Sequence, residues 1–145
     1  MSSYLLDTNV VSELRKGERA DGNVRSWFAG LADGEIFLSV LTIGEIRRGI
    51  EGVRRRDPDS AASLDRWLAQ LTEAHAERIL PVDRAIAEEW GRMNVPDPLP
   101  VVDGLLAATA RVLDLTLATR NVGDVEAAGI ELLDPFDPAS HGRDG

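Results

Sequence analysis

Four acidic residues far apart in the chain, Asp7, Glu45, Asp103 and Asp124, are the side chains best suited to do chemistry. Two carboxylates about 4 Å apart repel by about 4 kcal/mol at an effective dielectric near 20, and four multiply the pairs. Unless some take up protons, such a cluster requires a cation. All-oxygen ligands suit a hard ion, Mg²⁺ or Mn²⁺, and Mg²⁺ is commonly held by one or two carboxylates while water and phosphate oxygens complete its octahedron. A centre of that kind activates a water and neutralises charge on a phosphodiester being cut. The chemistry depends on whether the fold gathers the four acids.

The pattern along the chain says that it does. An apolar run over residues 4–6 stops at Asp7, after which Val10, Val11 and Leu14 recur at helical spacing up to Gly17. A helix is expected over 24–31, a buried strand over 36–40, and a helix capped by Thr42 that carries Ile43, Ile46 and Ile50. Residues 54–59 form a charged connection, 63–76 a long helix and 79–82 a third strand, with Asp83 capping the helix that contains Ile86 and Trp90. Pro96, Pro98 and Pro100 end that helix. A further helix spans 101–113, followed by a strand at 115–118, a short helix at 122–128 and a fifth strand at 130–133. Strands alternating with helices, each strand apolar throughout, predict one open and mostly parallel sheet covered by helices on both faces.

Ligands of such sheets bind at the carboxyl edge, where strands end and the following helices begin. Asp7 ends the first strand, and Glu45 falls in the first turn of the helix after the second. Asp124 follows the fourth strand. The 101–113 helix leads into a parallel strand and must run antiparallel to it, so its start, with Asp103, returns to the same edge. Each acid taken singly has a plainer role. Asp7 suits a helix cap, Thr42 with Glu45 fits a capping box, and the macrodipole favours Asp103 and Asp124 near helix N-termini. Asp83 meets the same positional rule, and capping suffices to explain it. The convergence of the other four is what points to a metal.

Composition narrows the field further. The chain has 145 residues, 43% hydrophobic and 28% charged, which suffices for one self-supporting domain. It contains no cysteine, so disulfides, zinc-thiolate sites, iron-sulfur clusters and thiol nucleophiles are excluded, and two histidines cannot furnish a His-rich metal site. No apolar run approaches a membrane span, and Asp7 comes too early for a signal peptide, so a cytoplasmic protein is expected. The net charge of -9 opposes indiscriminate binding to nucleic acid. The local exception lies between residues 45 and 56, where Arg47, Arg48, Arg54, Arg55 and Arg56 outnumber Glu45 and Glu51. Arg47 and Arg48 are candidates for tracking a nucleic-acid backbone beside the metal, although the same run also reads as a solvated helix face. Trp27, Trp67 and Trp90 lie on apolar helical stripes and fit packing better than base stacking. His75 reads as a surface residue. Residues 135–145, with Pro135, Pro138 and two glycines, are expected to form a flexible tail after a domain at 1–134.

With these residues in view, the sequence resembles the PIN-domain ribonucleases, most closely the VapC toxins and their FitB-like relatives of bacterial toxin-antitoxin pairs. The resemblance is carried by Tyr4-Leu5-Leu6-Asp7-Thr8-Asn9, Thr42-Ile43-Gly44-Glu45-Ile46, Pro98-Leu99-Pro100 ahead of Val102-Asp103, and Thr119-Arg120-Asn121 followed by Asp124. It implies a three-layer α/β/α sandwich with a five-stranded parallel sheet and a Mg²⁺- or Mn²⁺-dependent endoribonuclease. It also implies a homodimer and a small VapB-like antitoxin whose tail blocks the active site. Asp7, Glu45, Asp103 and Asp124 fall on the family's acidic metal site, Thr119 on its supporting hydroxyl position, and Asn9 on the residue that braces the first acid. Val125 stands where many relatives carry an aromatic residue.

Three other readings remain at this point. A haloacid-dehalogenase-like phosphatase needs a second Asp where Asn9 stands and a late lysine, whereas Lys16 is the only lysine. A phosphoacceptor receiver domain also needs a lysine near its last strand. An inactive PIN-like binding module would keep the fold without turnover.

Overall fold

The structure, a computed structural model, describes residues 3–141. Its framework is a five-stranded parallel sheet built from β1 (Tyr4–Leu6), β2 (Ile36–Ser39), β3 (Ile79–Leu80), β4 (Thr116–Ala118) and β5 (Leu132–Leu133), in the order β3-β2-β1-β4-β5. Tyr4 pairs with Ile36 on one side and Thr116 on the other, Leu38 with Ile79, and Leu117 with Leu132. The chain begins at the centre of the sheet, builds outward through β2 and β3, then returns to place β4 against the free side of β1. Strand order therefore reverses between β1 and β4, and the crevice beyond their carboxyl ends is the natural ligand site of an open α/β sheet.

Side chains alternate across the strands, and the two faces carry separate cores. Tyr4 and Leu6 face Val10, Val24, Trp27, Ile46, Ile50 and Leu68. These come from α1 (Thr8–Leu14), α2 (Gly22–Ala29), α3 (Val40–Arg54) and α4 (Pro58–Ala74). Tyr4 and Trp27 meet edge to face with centroids 5.2 Å apart. Leu5 points the opposite way, to Leu106, Ala110, Leu117 and Val125. That layer contains α5 (Arg84–Met93), α6 (Val101–Leu113) and α7 (Val122–Val125). The result is the three-layer α/β/α arrangement expected from the sequence. Burying a side chain such as Leu5 or Leu106 stabilises the fold by about 1.5–3 kcal/mol each.

Several boundaries differ from expectation for local reasons. The helix after β2 is capped by Ser39, whose Oγ accepts the Leu41 N–H at 3.0 Å, and not by Thr42. Thr42 is wholly buried one turn further on, and among the described residues its hydroxyl has no hydrogen-bond partner. Glu45 therefore lies in the second turn of α3, and no capping box engages it. Helix α4 starts at Pro58 because Asp57 accepts the Ser60 N–H at 3.1 Å and proline suits the first helical position. β3 stops at Leu80, before Pro81, which lacks an N–H for the ladder. Asp83 does cap α5, through the Ile86 N–H at 2.9 Å. The C-terminal segment is attached at its start: Pro135 is buried, and Phe136 packs on the first core. It continues through α8 (Pro138–His141), and residues 142–145 of the expected tail lie outside the described residues. No helix among the described residues is long and apolar enough to cross a membrane.

Candidate active site

The crevice between β1 and β4 opens onto Asp7. Because Asp7 is both the residue after β1 and the N-cap of α1, its backbone and side chain are held separately. The backbone N–H donates to the Ala118 carbonyl at 2.9 Å, which continues the β1–β4 ladder. Oδ1 accepts the Thr8 N–H at 2.7 Å. Oδ2 accepts the Thr119 hydroxyl at 2.8 Å and the Asn9 amide at 3.3 Å. Thr119, the residue after β4, is 1% exposed, and its Oγ1 also accepts the Asn121 N–H at 3.0 Å. Asn9 spans the two strand ends: its amide Nδ2 reaches Thr119 Oγ1 at 3.4 Å, and its Oδ1 accepts the Arg120 N–H at 3.1 Å.

Asp7 is 7% exposed, and burial raises its carboxyl pKa above the ordinary value. The hydrogen bonds from Thr119, Thr8 and Asn9 pull the other way, while the negative charge of Glu45 adds to the rise. Glu45 is half-buried on α3, and its Oε1 accepts the Thr8 hydroxyl at 2.5 Å. Two acids separated by 38 positions are thus bridged by a single threonine. Thr8 escapes a reading of the sequence that looks for charge; its signal is a hydroxyl in the first helical turn directly after a strand-ending acid.

Asp103 stands in the first turn of α6, half-buried. Its pKa is raised by burial first, then by the charges of Asp7, Asp124 and Glu45, and every influence resolved on it acts in that direction. Asp124 is exposed in α7, its backbone N–H bonded to the Asn121 carbonyl at 3.1 Å. Val125, next to it, is buried in the second core, so the aliphatic residue anchors α7 from beneath. Asp103 thus feels the other three acids, and Asp7 feels Glu45, at the switch point.

The two arginines part company. Arg47 donates to Asp65 at 2.7 Å and to Glu51 at 3.4 Å, while Arg54 Nη2 lies 2.8 Å from both oxygens of Asp65. Together they tie α3 to α4. Two helical positions separate Arg47 from Glu45, which turns it roughly 200° away from the acids. Arg48, three positions from Glu45, is exposed on the neighbouring side of the helix.

Oxygen donors with mutual repulsion and raised pKa fit a hard divalent cation, whose binding would relieve both burial and like charge. Among the described residues no three or more acidic, imidazole or thiol groups lie close enough together to hold a metal ion by themselves. Mg²⁺ does not need such a cluster, since it usually keeps several waters and is held by one or two carboxylates plus substrate phosphates.

Comparison with known proteins gives a consistent picture. The model of the PIN domain family matches residues 4–127. VapC ribonuclease Y4jK of Sinorhizobium fredii is 32% identical over 143 residues, covering 93% of this chain and 99% of that protein. Toxin FitB of Neisseria gonorrhoeae is 29% identical over 137 residues, covering 91% and 97% respectively. The crystal structure of FitAcB from Neisseria gonorrhoeae superposes with a TM-score of 0.84 at 30% identity, over 92% of this chain and 98% of that one.

Proposed function

The chain belongs to the PIN-domain family, alongside VapC ribonucleases, and from that premise we propose that it is a divalent-metal-dependent endoribonuclease acting as the toxin of a toxin-antitoxin pair. The observation that carries this reading is the gathering of acids from remote parts of the chain: Asp7 held by Thr119 and Asn9, Glu45 tied to it through Thr8, and Asp103 in the first turn of α6. Asp7, Glu45, Asp103 and Asp124 would hold Mg²⁺ or Mn²⁺. When bound, the ion would make a water easier to deprotonate, and so a better nucleophile toward phosphorus, and would neutralise charge on the phosphate.

The protein's own groups have separable tasks. Thr119 and Asn9 fix the Oδ2 atom of Asp7, leaving the orientation of that carboxylate set before any ligand arrives. Thr8 does the same for Glu45. Burial of Asp7 and partial burial of Asp103 lower the local dielectric, which strengthens every charge interaction in the crevice. Asp124 is the most exposed of the four. Arg48 is a candidate RNA contact near Glu45, and Arg47 would contribute only by releasing Asp65.

The catalytic domain would span residues 1–134, with Pro135 and Phe136 anchoring the C-terminal segment to it. A cytoplasmic homodimer controlled by a small VapB-like antitoxin accompanies this reading. A phosphatase or phosphoacceptor is disfavoured, because Asn9 takes the place of the second acid and is committed to bracing Asp7 and Thr119.

The test is incubation with total cellular RNA and Mg²⁺ or Mn²⁺, with and without chelator, together with mapping of the cut ends. Discrete metal-dependent cuts by the wild type, lost in Asp103→Asn, are expected. Intact RNA with both proteins, in metal, would overturn the reading and favour an inactive binding module.

A further inference from the structure

The acidic crevice sits on a chain of net charge -9, and a polyanion can settle there only against a local positive charge. Six of the fifteen arginines are committed to carboxylates or carbonyls. Arg47, Arg54, Arg84, Arg92 and Arg111 each form an ion pair with a carboxylate, and Arg78 donates to backbone carbonyls. Arg120 differs. Its guanidinium carbon lies over the Phe136 ring, 4.5 Å from the centroid, a cation-π contact that takes up none of its N–H donors in a hydrogen bond to a carboxylate or carbonyl. Among the described residues its guanidinium makes no hydrogen bond or ion pair. Glu13 feels the charge of Arg120, but its own oxygens are taken by Lys16 at 3.0 Å and by the Asp21 N–H at 2.8 Å.

Both ends of this arrangement are pinned. The Arg120 backbone N–H is bonded to Asn9, whose amide holds Asp7, and the preceding residue is Thr119. The platform is fixed as well: the Phe136 N–H donates to Asp134 Oδ1 at 2.9 Å, and its carbonyl accepts Asn23 Nδ2 at 3.0 Å. Thr119 turns inward to Asp7 while Arg120 is exposed and leads away, toward Glu13 and Phe136. A guanidinium held over a ring, one residue from Thr119 and with its donors unpaired among the described residues, suits a pair of phosphate oxygens.

We propose that Arg120, seated on Phe136, binds a backbone phosphate of single-stranded RNA flanking the bond that is cut. The proposal rests on the endoribonuclease reading and adds a substrate contact to it. Because the guanidinium is displaced from the acids, it acts on binding and not on the chemical step.

The experiment compares wild type with Arg120→Gln, Arg120→Lys and Phe136→Leu. Affinity for a fluorescently labelled single-stranded RNA 12-mer is measured by anisotropy in chelator across a salt series, and KM and kcat for the same RNA are measured with Mn²⁺. Arg120→Gln is expected to weaken binding roughly tenfold and to reduce the slope of log affinity against log salt by about 0.7, the value for one phosphate of a single strand. It should raise KM and leave kcat within about twofold. Arg120→Lys should keep the slope and lose part of the affinity, since the charge remains and the planar fork does not. Phe136→Leu should keep the slope with a smaller rise in KM. Wild-type slope and KM in Arg120→Gln, with RNA still cleaved, would overturn this proposal alone. Failure of the wild type to bind or cleave RNA would overturn it together with the nuclease reading.

Discussion

Thr8 donates its hydroxyl to Glu45 across 2.5 Å, joining the first turn of α1 to the second turn of α3. This bond fixes where the Glu45 carboxylate points relative to Asp7, one residue before Thr8, and it makes the pair of acids a single unit.

Thr8→Val keeps the shape of the side chain and removes the donor. Loss of an outer-shell partner of this kind lowers metal affinity or activity by about 10–100-fold. Titration of Mn²⁺ against RNA cleavage should show a weakened metal response in Thr8→Val and near-normal behaviour in Thr8→Ser. Equal metal response in Thr8→Val and wild type would show that the bond is not needed to orient Glu45.

Metal should stabilise the fold. At a concentration about a hundred times its dissociation constant, a ligand of the folded state adds about 2.7 kcal/mol, or roughly 8 °C in Tm for a domain of this size. Calorimetry with Mg²⁺, Mn²⁺ and chelator should show the rise in wild type. In Asp103→Asn the metal-free Tm should increase, because one of the repelling charges is gone, and the metal-dependent gain should shrink. A wild-type melt that ignores millimolar Mg²⁺ and Mn²⁺ would remove the basis for a metal centre.

Gly104, beside Asp103, lies where α6 meets α5. A methyl at this position would sit 3.1 Å from Trp90 Nε1 and 3.2 Å from Cδ1 of the same ring. Overpacking costs about 1–3 kcal/mol, and the better helix propensity of alanine returns about 1 kcal/mol. Gly104→Ala should therefore lose about 1 kcal/mol in urea unfolding. Pairing it with Trp90→Phe, which trims the ring, should cost less than the sum of the two single changes. Simple additivity would show that the close approach is not the cause.

His75 is the C-cap of α4, half-buried, and it shares a cavity of about 80 Å³ with Leu6, Leu14 and Trp67. The sequence places it among polar neighbours and suggests a surface position, yet its Nδ1 is buried and unpartnered among the described residues. Burial lowers its pKa below the ordinary 6.5, Arg78 adds to the lowering, and Asp33 opposes it. The unfolded chain then binds the proton more readily. The contribution is complete above pH 6.5 and is lost as pH falls from there through the lower folded value. Tm measured from pH 7.5 to 5 should fall less steeply in His75→Gln than in wild type, and identical slopes would exclude His75 as the titrating group.

The fold was legible because parallel strands buried on both faces leave an unmistakable apolar signature, as in Tyr4-Leu5-Leu6 and Ile36-Phe37-Leu38. The convergence of Asp7, Glu45, Asp103 and Asp124 came from topology, since strand ends and helix starts share one edge. Finer features escaped. Ser39 and Thr42 are both capable caps, and only the burial of Thr42 decides between them. The separation of Arg47 from the acids depends on Asp65, a partner 18 positions away on another helix. Thr8 and Arg120 stand inside motifs of the family resemblance, but their roles come from contacts with Glu45 and Phe136 that no local spacing encodes.

Asp7 receives its backbone support from Ala118 and its side-chain support from Thr119, so the second residue pair of the centre is made more than a hundred positions after the first acid. During synthesis, the strand that bears Asp7 has one flank unsatisfied until β4, more than a hundred positions later, has emerged. A prematurely terminated product would lack the neighbour that completes both the sheet and the crevice. The acidic crevice is therefore assembled only once β4 has docked against β1, and no N-terminal fragment that stops short of β4 can carry it.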